Sequence, residues 1–489
     1  MKLLRLDYLL HRWLGTCLGA LVFVWFASGI VMAYYPYPSI PESRELHALR
    51  PFAPDSGLIG FSAAWSAAQR AMAVTGDRRE LVRGRLQQLG TSPVYQFQLE
   101  NGVPIALVDA RTGTVLSPID SRLAETSARA LVPGDIRATR IELLHSADHY
   151  MLDVAYAPQF PAWRVRFDDP GLTAVYVNAR GGNPFGVVTR FTRLTTWTGT
   201  VPHWFYFIWL YDRPGLWSAA FVVAGSGILG LALTGIVWGF YHLARGKTYR
   251  GISKWHHFSG IGFGFLVLTW TASGLYQNFG AGSGPGSGQA ARIRGGPTRW
   301  TAVQVPEWQA LARLRQTDST ALVPSAVDLV QLDGHPGYQF FFSEGRSLWV
   351  DAESGAPRGE LTEPEVRRAA ALAMESSDPP RAIERLSRYD EYYYVRHGRE
   401  MHLPVWRISF ADREASRLYL DPVSGTPLAF VGRAARRARW LRDAVHSLDL
   451  PALNNRRPLW DLVILPLLAC GLVLSGTGVW LALRRWRRS

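Results

Sequence analysis

Two segments of this sequence carry the same pattern of histidine, glycine and apolar residues, and this repeat constrains the fold more than any other feature. The first segment reads LHRWLGTCLG and the second reads KWHHFSGIGFG. The shared positions, 245 residues apart, include His11/His256, Gly15/Gly260 and Gly19/Gly264. Because each segment opens a long apolar stretch, we expect a chain of two related halves that each begin with a helix.

Four apolar stretches are each long enough to cross a bilayer, which takes about 20 helical residues. They cover residues 13–35, 215–244, 258–279 and 462–483. The first is predicted to be a retained anchor, because its apolar region is too long for a cleaved signal and no A-x-A site follows it. The chain also has 19 tryptophans, a content that fits the aromatic belts of membrane proteins.

Short basic flanks predict the orientation of the four spans. Lysine and arginine dominate the N-terminus, the loop between the second and third spans and the C-terminal tail. These flanks lie on one side of a four-span layout, and their basic excess marks that side as cytoplasmic. The two long segments then lie outside. We therefore expect an inner-membrane protein of a Gram-negative cell, with both termini cytoplasmic and large periplasmic domains.

The long outer segments are also repeated. The repeated positions, 243 residues apart, include Trp163/Trp406, Arg164/Arg407, Tyr176/Tyr419 and His203/His446. One pattern, an alternating apolar run followed by an acid or amide and a glycine, occurs as ALVDARTG, VYVNARGG, SLWVDAESG and LYLDPVSG. Each copy predicts a strand that enters a tight turn formed by its Asp or Asn side chain.

These repeats predict the fold class: an integral-membrane α-helical core of four spans with two extracytoplasmic α+β domains, produced by tandem duplication. The expected segments are a first span with a cytoplasmic N-terminus (1–35), an outer domain (36–202), an outer interfacial segment with the second span (203–244), a cytoplasmic loop (245–257), the third span (258–279), a second outer domain (280–445), and an outer interfacial segment with the fourth span and basic tail (446–489).

The four hairpins, the paired spans and the HRWLG start together resemble the PepSY-associated transmembrane family. That family includes iron-regulated membrane proteins and siderophore reductases, and the resemblance covers essentially the full chain. It implies b-type haem bound between the spans, PepSY-like domains in the periplasm and reduction of ferric-siderophore iron.

The spacing of histidine and glycine has a chemical interpretation of its own. Residues four apart share one helix face, so His11 and His256 are each followed by a strip of glycines. Such a strip leaves a flat groove for a porphyrin, and imidazole is the usual axial ligand of b-type haem. The alternative is that the small residues permit close helix packing and the histidines are interfacial.

His203 and His446 form a second repeated pair, each 14 residues before a repeated tryptophan, Trp217 or Trp460. Both are expected on the outer side, whereas His11 and His256 are expected near the cytoplasm. Two haem b groups, one near each face, would form an electron path across the membrane. The alternative is that each histidine belongs to an interfacial aromatic belt.

Four further histidines are candidates without a repeated partner. His242 and His257 lie near the cytoplasmic end, where either could replace a member of the inner pair; their counterparts are Arg485 and Arg12. His145 and His149 are four apart and would share one face if the segment were helical. The counterparts assigned to them by the 243-residue offset, Arg388 and Tyr392, make any site there asymmetric.

The stretch YDEYYYVRHGREMH (389–402) is a candidate ferric-siderophore surface, through stacking and cation–π contacts with Arg396 and Arg399. The alternative is that its tyrosines belong to the core of a hairpin.

The function expected from these features is transmembrane electron transfer to a ferric siderophore in the periplasm. Because the chain has no nucleotide-binding fingerprint, it needs an external donor, a flavoprotein or a quinol. Two alternatives are a non-catalytic membrane protein that binds an envelope peptide or protease, and a siderophore or iron transporter. The formal net charge is +14, and much of the cationic charge flanks the apolar spans, next to the expected lipid bilayer. No nucleic-acid motif accompanies it.

Overall fold

A computed structural model describes residues 2–40, 49–277, 287–318, 323–342, 345–375, 379–395, 401–454 and 456–487. The chain divides into two compact units. A helical unit comprises Met1–Tyr37, Thr192–Gly282 and Ala434–Ser489, and a sheet unit comprises Pro38–Phe191 and Ser283–Arg433. Both units are therefore built from the two halves of the repeat.

Four long helices dominate the helical unit: α1 (Lys2–Tyr34), α2 (Pro214–Ala244), α3 (Ile252–Gln277) and α4 (Arg457–Trp486). Each is long and apolar enough to cross a membrane, which confirms the four predicted stretches. Three of the helices, α1, α3 and α4, extend beyond those stretches through charged residues, whereas α2 begins only one residue earlier, at Pro214. Phe279, the predicted end of the third span, lies outside the described residues.

The four helices pack in a ring, in which α1 and α3 each contact both α2 and α4. The centre of the ring is apolar and includes Val22, Phe26, Ile228, Trp270 and Leu468, all at least nine-tenths buried. Apolar helices of this length satisfy their backbone hydrogen bonds internally, which is what a lipid environment requires. The ring places α1 diagonally opposite α3.

Short helices and two π-helical turns connect the bundle helices to the rest of the chain. The short helices are Arg190–Thr195, Val201–Trp204, Ile208–Tyr211, Arg433–Ala438 and Pro451–Asn454. The π-helical turns are Thr196–Thr200 and Arg439–Ala444, one in each half. Each turn lies a few residues before one of the repeated outer histidines.

The sheet unit contains fifteen described strands in three antiparallel sheets. The strands are β1 (Arg83–Leu89), β2 (Ser92–Gln98), β3 (Pro104–Asp109), β4 (Ala138–Leu144), β5 (Ala162–Phe167), β6 (Ala174–Asn178), β7 (Pro184–Val188), β8 (Ala326–Leu332), β9 (His335–Phe341), β10 (Ser347–Asp351), β11 (Pro357–Arg358), β12 (Ala382–Leu386), β13 (Val405–Ser409), β14 (Arg417–Leu420) and β15 (Pro427–Val431). The accompanying helices are Phe61–Val74, Ser121–Arg129, Ser287–Arg294, Glu307–Thr317 and Glu363–Met374.

One seven-stranded sheet joins the two halves, in the order β11-β10-β9-β8-β1-β2-β3. The other two sheets each have four strands, β4 to β7 and β12 to β15. The central pair, β1 and β8, is antiparallel and sets Arg85 opposite Asp328. The predicted outer domains, 36–202 and 280–445, thus contribute strands to a common sheet.

The four predicted turns have the expected geometry. The side chains of Asp109, Asn178, Asp351 and Asp421 each accept backbone N–H groups two and three residues further along the chain. The glycine that closes each turn has a φ between 72° and 74°, a conformation that side chains with a Cβ rarely adopt. The Asx side chains are therefore turn formers.

The tyrosine-rich stretch is part of the fold in its described portion. Tyr393 is 1% exposed, stacks on Tyr419 at a centroid distance of 5.1 Å, and donates a hydrogen bond to the carbonyl of His402. Tyr389 likewise donates to the carbonyl of Met401 at 2.9 Å. These contacts favour the hairpin-core alternative. Arg396 and Arg399, the proposed cationic partners, lie outside the described residues.

Candidate paired-histidine site

The repeated histidines face each other across the helical unit in two pairs. His11 of α1 and His256 of α3 have ring centroids 6.3 Å apart. His203 and His446, which follow the two π-helical turns, have ring centroids 6.2 Å apart. The repeat therefore supplies one histidine from each half to each pair.

Both imidazoles of the His11–His256 pair have their Nδ1 atoms oriented by a neighbouring helix. His11 Nδ1 lies 3.1 Å from the carbonyl oxygen of Leu231 in α2, and His256 Nδ1 lies 3.2 Å from that of Leu474 in α4. The hydroxyls of Thr234 and Thr477 lie 3.4 and 3.1 Å from the same nitrogens. Because a carbonyl only accepts, each Nδ1 carries the proton and each Nε2 has a free lone pair.

The His203–His446 pair has the same arrangement with serine in place of threonine. His203 Nδ1 lies 2.9 Å from Ser28 Oγ, and His446 Nδ1 lies 3.2 Å from Ser273 Oγ and 3.0 Å from the carbonyl of Trp270. Burial lowers the pKa of His203 to about 3, helped by the adjacent His446. Burial also lowers the pKa of His446, so both rings are neutral near pH 7.

Glycines on the neighbouring helices make room for three of the four rings. A Cβ atom on Gly235 would lie 2.7 Å from Cε1 of His11, and one on Gly478 would lie 3.1 Å from Cε1 of His256. A Cβ on Gly274 would similarly lie 3.1 Å from Cε1 of His446. These separations are shorter than ordinary carbon–carbon contacts, so the rings occupy their positions only because the residues are glycine.

The glycine strips that follow His11 and His256 contact aliphatic side chains. Cβ positions at Gly15, Gly19 and Gly260 face Leu231, Val479 and Leu474 at 3.5–3.7 Å, and that of Gly264 faces Ile236 at 2.9 Å. These contacts are those of close helix packing, the alternative considered above. The porphyrin groove stays a prediction for these four positions.

The paired rings are far enough apart for one metal ion to lie between them if their Nε2 atoms point at each other. A nitrogen lies about 1.1 Å from the centroid of a five-membered ring with bonds of about 1.33 Å. Imidazole nitrogen binds a first-row metal at about 2 Å, so two facing rings have centroids about 6.3 Å apart. The observed distances of 6.3 and 6.2 Å agree with this value.

The number of donors in each pair limits which metal centres it could hold. No group of three or more His, Cys, Asp or Glu side chains with metal-binding geometry occurs among the described residues. A protein zinc site needs at least three such ligands. Haem supplies four equatorial nitrogens of its own and needs only two axial ligands, which each histidine pair can provide.

The two pairs lie near opposite ends of the bundle. His11 and Ser28, the partner of His203, are both on α1, and 17 residues of helix span about 26 Å. This separation is close to the thickness of a bilayer hydrocarbon core, about 30 Å.

Repeated tryptophans attach the His203 and His446 segments to the bundle helices. The indole of Trp217 in α2 donates to the carbonyl of Trp204 at 2.9 Å, and that of Trp460 in α4 donates to the carbonyl of Ser447 at 3.1 Å. Each carbonyl belongs to the residue directly after the paired histidine. The tryptophans therefore restrain the backbone that presents the ring.

The structure places His145 and His149 outside any helix. β4 ends at Leu144, and both histidines lie in the loop that follows. The prediction that His145 and His149 share one helix face is therefore wrong. Their counterparts also change: Glu142 pairs with Arg164 in β5, and Glu384 pairs with Arg407 in β13, so the local offset is 242 and the counterparts are Ser387 and Glu391.

His242 and His257 lie apart from the His11–His256 contact, in a group of aromatic residues. His242 is 7% exposed and packs edge-on against Trp238 at a centroid distance of 4.4 Å. Tyr249 lies between the two histidines, 5.9 Å from His242 and 4.8 Å from His257. We call these four residues the asymmetric cluster, because both histidines have arginine counterparts.

Sequence reasoning missed the residues that orient the rings. Thr234/Thr477 and Gly235/Gly478 are repeated at the 243-residue offset, so the duplication itself carried the signal. Ser28 and Ser273 were visible as repeated positions, but their contact with the outer histidines was not. More than 170 residues separate each partner from its histidine, and only helix packing brings them together.

No protein-family model matches the chain, and the search of curated proteins gives no match. The class of protein is therefore described by its own features. These are four helices of membrane-spanning length, two histidine pairs and a unit of antiparallel sheets. The PepSY-associated resemblance continues to depend on the sequence motifs described above.

Proposed function

We propose that the chain is a haem b membrane oxidoreductase that transfers electrons across the bilayer to reduce ferric-siderophore iron in the periplasm. The observation that carries the proposal is the presence of two facing histidine pairs, with ring centroids 6.3 and 6.2 Å apart. When bound, haem iron supplies reversible one-electron chemistry. One pair lies toward each end of the bundle, as a transmembrane path requires.

The chain's own residues would hold and insulate the two cofactors. His11 and His256 would bind one haem and His203 and His446 the other, each through Nε2. The hydrogen bonds to Nδ1 fix the tautomer and the orientation of the rings and make them stronger ligands. Between the pairs, the buried Val22, Ile228 and Leu468 exclude water from the centre of the bundle.

The direction and the partners of the reaction come from the sequence. The basic flanks place the His11–His256 pair near the cytoplasm, where a flavoprotein or a quinol would donate electrons. The family resemblance supplies the acceptor, a ferric siderophore bound at the periplasmic domains. Reduction to ferrous iron weakens the hold of the hard oxygen ligands without any covalent change to the chelator.

The decisive experiment is pyridine-haemochrome quantitation of the purified chain and of single His→Ala variants. We expect two haems per chain in the wild type and one in each variant at positions 11, 203, 256 and 446, because removing one axial ligand empties one pair. His145→Ala is the matched control and should keep both haems, since His145 lies in an exposed loop.

The same preparation tests the acceptor. After reduction with dithionite and removal of the excess, a ferric hydroxamate chelate should reoxidise the protein, with ferrous iron trapped by a coloured chelator. A wild-type protein without porphyrin, or a quadruple variant that retains both haems, would contradict the proposal.

A further inference from the structure

The asymmetric cluster contains a buried histidine without a partner. Both ring nitrogens of His242 are buried and lack a hydrogen bond from any described residue, although the ring is 7% exposed. An imidazole left unsatisfied in this way costs free energy. Such a group is expected where a ligand completes the hydrogen bonds.

Aromatic rings surround His242. Trp238 packs against it at 4.4 Å, Tyr241 at 5.4 Å and Tyr249 at 5.9 Å, all close to perpendicular. Tyr249 also contacts His257 at 4.8 Å, so the second histidine faces the same ring. The surroundings therefore combine flat apolar surfaces with two imidazoles, which suits a planar aromatic ligand that carries hydroxyl or carbonyl oxygens.

Cations border the cluster on its loop side. The backbone N–H groups of Arg245 and Lys247 bond to the carbonyl of His242, which caps α2, and the Lys247 ammonium lies 5.6 Å over the Tyr249 ring. The charges of Arg245 and Lys247 both act on His242. The setting favours a neutral or electron-rich ring over a cationic ligand.

The cluster also breaks the two-fold symmetry of the bundle. The counterparts of His242 and His257 in the other half are Arg485 and Arg12. The two histidine pairs need identical parts from both halves, but a site of electron entry is needed only once. The duplication therefore provides an internal control, a related position without the histidines.

We propose that the asymmetric cluster binds the headgroup of a membrane quinol, with His242 accepting a hydrogen bond from one hydroxyl. This inference rests on the proposed function and names its electron donor. His242 lies within the last turns of a membrane-spanning helix, so a lipid-soluble donor can reach it along the bilayer. A flavoprotein would instead require an exposed docking surface.

The donor reaction is balanced without a further reactant. Oxidation of one hydroquinone to the quinone breaks two O–H bonds and releases two electrons and two protons. The electrons would pass one at a time to the haem groups that the histidine pairs would hold under the proposed function. The protons leave to the water at the basic end of the bundle.

The test is calorimetric titration of the detergent-solubilised full chain with decylubiquinone, the oxidised and therefore unreactive form of the probe. Its ring carbonyl accepts a hydrogen bond from the N–H of His242, where the hydroxyl of the quinol would donate one to the other nitrogen. His242→Phe keeps an aromatic ring and removes both nitrogens, so binding should weaken at least about tenfold. His242→Gln restores an acceptor and a donor and should bind within about threefold of wild type. Arg485→Ala, the symmetry-related control, should bind like the wild type.

Two results would overturn the inference. One is that the wild type does not bind the probe, or that His242→Phe binds the probe as tightly as the wild type does. The other is that decylubiquinol fails to reduce the haem, whereas a flavoprotein supplied with NADH reduces it equally well in the wild type and in His242→Phe. Because calorimetry does not require haem, the two proposals can fail separately: missing haem contradicts the proposed function, and missing quinone binding contradicts only this inference.

Discussion

All four paired histidines share one hydrogen-bonding arrangement at the scale of the residue. A hydroxyl lies near each Nδ1, from Thr234 and Thr477 in one pair and Ser28 and Ser273 in the other. These hydroxyls also donate to carbonyls of their own helices, so a lone pair stays available to the imidazole. The arrangement leaves each Nε2 as the metal-binding atom.

Gly235→Ala tests whether glycine is needed beside His11. The new methyl group would lie 2.7 Å from Cε1 of His11, so the ring must move and lose its alignment with His256. We expect haem content to fall from two per chain toward one, measured as pyridine haemochrome. Gly262→Ala is the matched control, because nothing lies within 4 Å of its Cβ position.

The control variant should keep both haems and unfold at the same or a slightly higher temperature, because alanine favours a helix over glycine by about 1 kcal/mol. Equal haem content in the two variants would show that the position of the His11 ring does not depend on Gly235.

The sequence predicted the four histidines and their division into two pairs, because the duplication marks them. It did not predict which glycines contact the rings. The glycine strip beside His11 is conspicuous, yet Gly15 packs on Leu231, and it is Gly235 of another helix that borders the imidazole. Contacts between helices depend on rotation about the helix axes, which a linear pattern does not specify.

At the scale of the element, each outer histidine is presented by a π-helical turn and a short helix. The turns Thr196–Thr200 and Arg439–Ala444 occur at corresponding places in the two halves. π-Helical geometry is rare and concentrated at functional sites. The turns were not predicted, because one extra residue per turn leaves no clear mark in the hydrophobic pattern. The four strands that lead into the glycine turns were predicted, because alternation and glycine turns are local.

Trp460→Phe tests the tie between α4 and the His446 segment. Phenylalanine fills most of the space but cannot donate to the Ser447 carbonyl, a loss of about 1–2 kcal/mol. In a His11→Ala background, where only the His203–His446 pair can bind haem, we expect less haem per chain and a lower melting temperature. The measurement is haemochrome content together with thermal unfolding.

Trp209→Phe in the same background is the control, because Trp209 is 63% exposed. If Trp460→Phe retains haem as well as this control does, the indole hydrogen bond is not needed to position His446.

At the scale of the whole molecule, the two halves meet in the seven-stranded sheet. Arg85 of β1 and Asp328 of β8 occupy equivalent positions in the repeat and form a buried ion pair, with Nε 2.7 Å from Oδ1. Arg83 contacts the same carboxylate. Two copies of one half would bring like charges together here, so the pair favours joining unlike halves.

Asp328→Asn tests this junction. It removes the carboxylate charge that faces the buried Arg85 guanidinium, and the expected cost is about 3–5 kcal/mol of unfolding free energy, seen as a lower melting temperature of the full chain. Adding Arg85→Gln should recover part of the lost unfolding free energy, because it removes the buried positive charge that Asp328 had faced. A double-mutant cycle measures this coupling.

Asp55→Asn is the control for the cycle. It removes an ion pair between Asp55 and Arg111 whose side chains are 50% and 51% exposed, and water and salt screen such surface pairs so that they contribute little to stability. If Asp328→Asn lowers the unfolding free energy no more than Asp55→Asn does, the central ion pair does not stabilise the junction.

The β1–β8 pairing also sets an order of events during biosynthesis. β1 ends at Leu89 and β8 begins at Ala326, so at about 5–20 residues per second the ribosome reaches β8 roughly 10–50 s after completing β1. During that interval the edge of β1 has no neighbour and can recruit a strand from another nascent chain. The duplicated architecture thus leaves one edge of β1 without its partner strand until the second half of the chain has been made.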